Sequence, residues 1–317
     1  MTQNQQRARA VISQVCTVIF GKQAEVREAF LAFLADGHIL LEDIPGVGKT
    51  TLARAFSKAM ALESKRVQFT PDVLPSDLTG FSIYRRNEER FVYQPGSVFC
   101  NLLLADELNR TSPKTQSALL EVMEERRVSV DGVTRAVPQP FLVIATQNPS
   151  GAAGTQLLPE AQVDRFMISM SMGYPAFEDE LAMAMSVGEG ERLNTVQAVI
   201  NGENLLAMQR EVHTVYMKPT LYQYLLLLVT ATRQHPSLLR GASPRATIAL
   251  VKMAKAAAWL EGRDYVVPSD ISAQLPYVLM HRISRTTAAK MEGVRKDDII
   301  MEILKSVKRP PVGERVR

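Results

Sequence analysis

An apolar run that stops at a glycine-rich loop and resumes as a helix constrains this chain more than any other feature. Ile39 to Leu41 reads as a short buried strand, Pro45, Gly46 and Gly48 as a loop, and Thr50 to Met60 as a helix. Strand, loop and helix in that order make a P-loop. Glycines let the backbone curl so that successive N–H groups point at phosphate oxygens. The helix N-terminus adds its positive dipole end. Within Asp43, Ile44, Pro45, Gly46, Val47, Gly48, Lys49, Thr50 and Thr51, the Lys49 ammonium is spaced to reach the β- and γ-phosphates of ATP, and the Thr50 hydroxyl to ligate Mg²⁺. Asp43 stands where the G-x-x-x-x-G-K-[ST] pattern has its first glycine, so the loop entry departs from the pattern.

A second stretch completes the chemistry. Leu102 to Ala105 is an apolar strand that ends in Asp106 and Glu107. Both carboxylates then sit at the carboxyl edge of a parallel sheet, where a P-loop also opens. Asp106 is suited to hold Mg²⁺, and Glu107 to orient and deprotonate a water. Pro140 to Thr146 reads as another buried strand, with Asn148 at its polar end. Asn148 either meets the attacking water or the γ-phosphate, or simply starts a turn before Pro149. Ile19, Phe20 and Gly21 precede the first core strand; Phe20 and Gly21 either border a pocket for a base or belong to plain helix packing.

Two hairpins interrupt this core. Phe81 to Tyr84 and Arg90 to Tyr93 flank a charged tip, and Arg126 to Val130 and Val133 to Val137 flank Asp131-Gly132, a strong two-residue turn signal. Helical patterns dominate from Ala176 onward: Phe177 to Val187, Gly202 to Val215, Pro219 to His235, Pro244 to Glu261 and Pro268 to Met280. The chain is therefore expected to divide into an α/β nucleotide-binding domain (1–174), a helical domain (175–307) and a disordered tail (308–317). Met183, Met185, Met208, Met217, Met253 and Met280 read as core fillers. Arg245 falls in the first turn of a helix, where it opposes the dipole; it either faces an anion or is simply solvated.

Composition limits the partners. The formal net charge of the 317 residues is +4. The segment Lys305 to Arg317 alone has five basic residues and one Glu, so the rest is about neutral and does not demand a nucleic-acid groove. Two cysteines, Cys16 and Cys100, read as buried small hydrophobes of a reducing compartment. The most apolar run, Leu225 to Val229, is far too short to span a bilayer, and the polar start has no signal core. The expected location is the cytoplasm.

Five motifs together carry a family resemblance: Glu42 to Thr50, Phe69 to Asp77, Leu103 to Arg110, Ala145 to Pro149, and Leu158 to Phe166. In this order they resemble the MoxR group of AAA+ ATPases over nearly the whole chain. The resemblance implies an AAA+ P-loop core with a parallel sheet of order 5-1-4-3-2 and an all-α lid. It implies that Lys49 and Thr50 act as Walker A, Asp106 and Glu107 as Walker B, Asn148 as sensor 1, Arg245 as sensor 2 and Arg165 as an arginine finger acting in trans. It equates the hairpins with the helix-2 and pre-sensor-1 insertions that face the pore in related rings. It further implies a hexameric homo-oligomer that remodels a protein client, often with a von Willebrand A-domain partner. No such domain lies in this chain, so that partner would be a separate polypeptide. Two rival readings are a nucleic-acid-directed motor and a nucleotide-gated binding module with little hydrolysis; the near-neutral body opposes the first and an intact Glu107 the second.

Overall fold

The computed structural model describes residues 1–44, 46–148, 158–185 and 192–311. Helices α1 (Gln3–Cys16) and α2 (Gln23–Leu34) lead into β1 (Ile39–Glu42), α3 (Lys49–Ala59) and β2 (Ser64–Gln68). A short helix, α4 (Pro75–Thr79), and a hairpin of β3 (Phe81–Arg85) and β4 (Arg90–Gln94) precede β5 (Leu102–Asp106). Helix α5 (Pro113–Glu125), a second hairpin of β6 (Arg127–Val130) and β7 (Val133–Ala136), and β8 (Leu142–Gln147) follow. A one-turn helix, α6 (Glu160–Val163), and β9 (Ile168–Met170) close this half.

The five core strands lie in the order β2-β5-β8-β1-β9, all parallel. Counting core strands only, this is the 5-1-4-3-2 order that the resemblance implies. Alternate residues serve opposite faces. Ile39, Leu41, Leu102, Leu104, Leu142 and Ile144 join one core, while Leu40, Leu103, Ala105, Val143 and Ala145 join the other. Because helices cover both faces, the central strands are continuously apolar rather than alternating. The edge strand β2 alternates between exposed and half-buried positions instead.

Polar groups inside the sheet domain are held in defined states. His38 Nε2 lies 3.2 Å from the Met123 carbonyl, and its Nδ1 accepts from the Val143 N–H at 3.1 Å. One ring nitrogen donates and the other accepts, which requires a neutral imidazole. Burial, aided by the nearby Arg126 charge, holds its pKa down to about 3. Thr2 and Gln5 form a capping box at the start of the first helix. It ends at Cys16, and a turn from Thr17 to Lys22 separates it from α2.

The second half contains α7 (Phe177–Met185), α8 (Gly202–Thr214), α9 (Pro219–Gln234), β10 (Leu238–Arg240), α10 (Pro244–Leu260), α11 (Pro268–Leu279), β11 (Ser284–Arg285), α12 (Thr287–Met291) and α13 (Lys296–Ser306). It is not purely helical: β10 and β11 form a small antiparallel ribbon too short for any periodic signal. Helix α10 is its spine, burying Ala246, Leu250, Met253, Ala257 and Trp259. These residues share one continuous core with the α1–α3 face of the sheet. Met208, Met217 and Met253 fill that core as expected, but Met183 and Met185 do not. Both lie on α7, which buries none of its side chains.

One arginine bolts the two halves together. The Arg282 side chain is almost fully buried, and it donates to Asp164 Oδ1 at 2.8 Å and to the carbonyls of Asp164, Phe166, Met167 and Val278. Neighbouring His281 lies 3.1 Å from the Phe166 carbonyl, and burial drives its pKa well below the ordinary value.

Candidate functional site

The P-loop takes the form its sequence requires. Gly46 and Gly48 have φ of 89° and 87°, a left-handed conformation that side chains disfavour, and open space surrounds both. Gly48 caps α3, so the N–H groups of the first helical turn face the loop. Lys49 Nζ donates to the Asp43 carbonyl at 3.0 Å, which folds the ammonium back over the loop. Ile44 is partly buried beside it, and Pro45 lies outside the described residues.

The Asp43 side chain is held by the chain leaving β9. Its carboxylate is buried and accepts from Ser171 Oγ at 2.6 Å, Met172 N at 2.6 Å and Gly173 N at 3.1 Å. An acceptor-only carboxylate can satisfy three donors at once, which the pattern's glycine cannot. The substitution therefore ties the loop entry to the chain leaving β9, and only the Asp43 backbone meets Lys49.

A cavity of about 380 Å³ opens over the loop. Lys49, Thr50, Thr51, Asp106, Glu107 and Asn148 all line it, so the sheet brings together the residues of both decisive stretches and the strand end that follows them. Asn148 is in place at its wall, and the Pro149 and Ser150–Gly154 part of that turn lies outside the described residues.

The two acids are held by neighbours that local sequence did not single out. Thr146 Oγ1 donates to Asp106 Oδ1 at 2.7 Å and accepts from the Glu107 N–H at 2.8 Å. Glu107 has a φ of 56°, and this bond pins that unusual backbone turn. Arg66 donates to Asp106 Oδ2 at 2.7 Å. Gln68 Nε2 and Arg110 both donate to Glu107 Oε2, at 2.8 and 2.7 Å. Arg66 and Gln68 come from β2, which the sheet order sets beside β5; only that order could have found them. The Thr50 hydroxyl and Asp106 carboxylate form the all-oxygen donor set that Mg²⁺ prefers, so the residues fit the metal, with Arg66 occupying one Asp106 oxygen in this state.

Behind the loop lies a second recess of about 360 Å³, lined by Ile19, Phe20, Val47, Met172 and Tyr174 among others. Its apolar walls and its continuity with Gly46, Gly48 and Thr51 suit a flat base. The Arg192 guanidinium stands 4.8 Å from the Phe20 ring centroid. Gly21 does not line the recess. Its φ is 65°, and a Cβ there would fall 1.9 Å from Asp179 Oδ2, so this glycine admits α7 rather than a base.

Arg165 and Arg245 lie elsewhere. Arg165 Nε is 2.9 Å from Glu124 Oε2, and Arg245 pairs with the other oxygen of the same carboxylate. The anion that Arg245 faces within its own chain is thus Glu124. Glu124 lies in the last turn of α5, whose 13 residues span about 20 Å, and the Walker B turn lies before the start of that helix. Neither arginine lines the P-loop cavity of its own chain.

Residues 38–168 match the family model described as the ATPase family associated with various cellular activities (AAA), and residues 230–303 match the AAA lid domain. Chaperone MoxR1 of Mycobacterium tuberculosis is 38% identical over 95% of this chain and 82% of its own length. The chain belongs to the MoxR family of AAA+ ATPases. The Bacillus subtilis protein YeaC is 47% identical over 96% of each chain. The crystal structure of an ATPase candidate from Cytophaga hutchinsonii superposes with a TM-score of 0.91 at 39% identity, covering 97% of this chain and 96% of that one. A nucleotide-binding AAA+ core and a helical lid are therefore family properties of this chain. Among the described residues, no helix is long and apolar enough to cross a membrane.

Proposed function

We propose that this MoxR-family protein hydrolyses ATP and uses the cycle to remodel a protein client in the cytoplasm. The reading is carried by the convergence of Lys49, Thr50, Asp106, Glu107 and Asn148 on one cavity. Lys49 and the loop N–H groups would bind the phosphates, and Phe20 would stack beside the base. Thr50 and Asp106 would hold Mg²⁺, which supplies neutralising charge on the phosphate oxygens when bound. Glu107 would take the proton of a water that Asn148 orients. Gln68 and Arg110, which grip Glu107 Oε2, would set when that carboxylate is available.

Charge in trans completes the site. With α5 between them and their own cavity, Arg165 and Arg245 are better placed to serve a neighbouring subunit, which supports a ring. The β3–β4 hairpin carries exposed Phe81, Ile83, Tyr84 and Phe91, while Glu88 offsets Arg85 and Arg90 at its tip. An apolar projection whose tip mixes Arg85, Arg86 and Arg90 with Glu88 and Glu89 suits a protein client better than a phosphate backbone. A separate von Willebrand A-domain protein is the proposed partner.

Phosphate release tests the reading. Glu107→Gln and Arg165→Ala are each expected to lose turnover by about a thousand-fold, and to retain nucleotide binding. Mixed together they are expected to recover activity, because one supplies an intact finger and the other an intact cavity. Normal hydrolysis by Arg165→Ala defeats the trans reading, and normal hydrolysis by Glu107→Gln defeats the catalytic one. Stimulation by oligonucleotides with strong salt dependence would favour a nucleic-acid motor instead.

A further inference from the structure

Helix α7 is amphipathic, and among the described residues nothing packs on its apolar face. Phe177, Leu181 and Met185 recur at four-residue spacing, so they form one stripe, and they are 77%, 44% and 76% exposed. The opposite side is engaged: Asp179 abuts Gly21, and Glu180 and Met183 border the base recess. The first turn carries Glu178, Asp179 and Glu180 and no base; Glu178 flanks the apolar stripe, while Asp179 and Glu180 lie on the engaged side.

A groove of complementary character lies elsewhere on the same chain. A cavity of about 720 Å³ between α8 and α10 has a floor of Leu206, Ile248 and Val251 and a rim of Arg210, Lys252 and Lys255. Its one acid, Asp36, is already paired with Arg126 at 3.0 Å. Among the described residues, neither Arg210 nor Lys252 has a carboxylate partner.

We propose that α7 of one copy docks into this groove of a second copy of the chain. An acidic helix with i, i+4, i+8 apolar anchors fits an apolar trough with a basic rim. It cannot fill its own groove. Lys22, before the start of α2, borders the recess beside α7, while Leu34 to Asp36, at the other end, border the groove. Those ends are separated by the 12 residues of α2, about 18 Å. The two patches differ, so the contact is head-to-tail, the kind that closes into rings.

The position of the groove gives the contact a consequence. Ile248 and Lys252 border both the groove and the cleft that holds Glu124, Arg165 and Arg245. A copy that seats its neighbour's α7 therefore brings these arginines toward that neighbour's nucleotide recess. This consequence rests on the trans reading above; the docking does not.

The test uses two full-length variants followed by sedimentation velocity with ADP. Glu178→Lys with Leu181→Lys spoils the helix, and Arg210→Glu with Lys252→Glu spoils the groove. Wild type is expected to assemble. Each variant alone is expected to need at least about tenfold more protein for half-assembly, since like charges would face each other. An equimolar mixture of the two is expected to reassemble, because spoiled helix meets spoiled groove and intact helix meets intact groove. Recovery in the mixture also establishes that both variants are folded. A wild type that stays monomeric, variants that assemble like wild type, or a mixture that fails to recover overturns the docking. If the variants keep wild-type mass while Arg165→Ala loses turnover, the docking falls and the trans finger stands. If the mixture recovers while Arg165→Ala hydrolyses normally, the reverse holds.

Discussion

Arg66 on β2 donates to Asp106 on β5 across 2.7 Å, on one of the two carboxylates that line the P-loop cavity. The pair joins adjacent strands in register, with Gln68 opposite Asp106 and Arg66 opposite Leu104. It places a side-chain cation on the acid suited to Mg²⁺. A Mg²⁺ ion held there would compete with the guanidinium for Asp106 Oδ2.

Removing Arg66 is therefore expected to ease metal binding. The Arg66 side chain is 51% exposed, so the pair is worth no more than about 1 kcal/mol. Arg66→Gln is expected to lower the Mg²⁺ concentration for half-maximal nucleotide binding by about two- to fivefold. A magnesium titration with a fluorescent nucleotide checks this, and an unchanged midpoint rejects the competition.

Thr146→Val keeps the shape of a fully buried side chain and deletes its hydroxyl. The Glu107 N–H then loses its acceptor, and Asp106 loses a donor. Leaving a buried donor unmet costs about 1–3 kcal/mol, which urea unfolding will resolve. The released backbone at Glu107 is expected to lower turnover more than nucleotide affinity.

Asp43→Gly restores the pattern's residue and is nonetheless expected to weaken the protein. It strips the acceptor from Ser171 Oγ and from the N–H groups of Met172 and Gly173. Loss of hydrogen bonds to a buried carboxylate is expected to cost about 2–4 kcal/mol. Because Met172 and Gly173 also border the base recess, ATP affinity should fall with it. A variant as stable as wild type, bound equally by ATP, contradicts the anchoring role.

Stability should fall in mild acid. Folded His38 and His281 stay neutral well below the ordinary histidine value of 6.5, at about 3 for His38. The unfolded chain gains protons on both as pH drops through 6.5, and the folded chain does not. The stabilisation is therefore complete above 6.5 and is lost as pH falls toward the folded values, by about 1.4 kcal/mol per pH unit for each histidine. Urea midpoints at pH 7.5, 6.5 and 5.5 should decline, and less steeply in His38→Gln.

The nucleotide-binding core was legible because its signals are local. Gly46 and Gly48 must adopt positive φ, and an apolar run must end where Asp106 and Glu107 turn into solvent. The Asp131-Gly132 turn announced its hairpin in the same way, with positive φ at both residues. Each of these is a choice of backbone conformation made within a few residues, so residue type reveals it. The β10–β11 ribbon was not legible, because strands of three and two residues carry no periodicity. The methionines of α7 misled for a related reason: an apolar residue at helical spacing reports a stripe, not what covers it.

By itself, then, the sequence determined the P-loop, the two acids, the two hairpins and the family. Tertiary structure decided which groups hold those acids: Arg66, Gln68 and Thr146 meet Asp106 and Glu107 only because β2 and β8 flank β5. It also decided where Asp43 points, that Gly21 makes room for α7, and that Arg165 and Arg245 share Glu124. The physical reason is range. A dihedral preference acts within one residue and a motif within ten, whereas ion pairs between residues far apart in sequence exist only after burial of the core has set strand neighbours and helix ends.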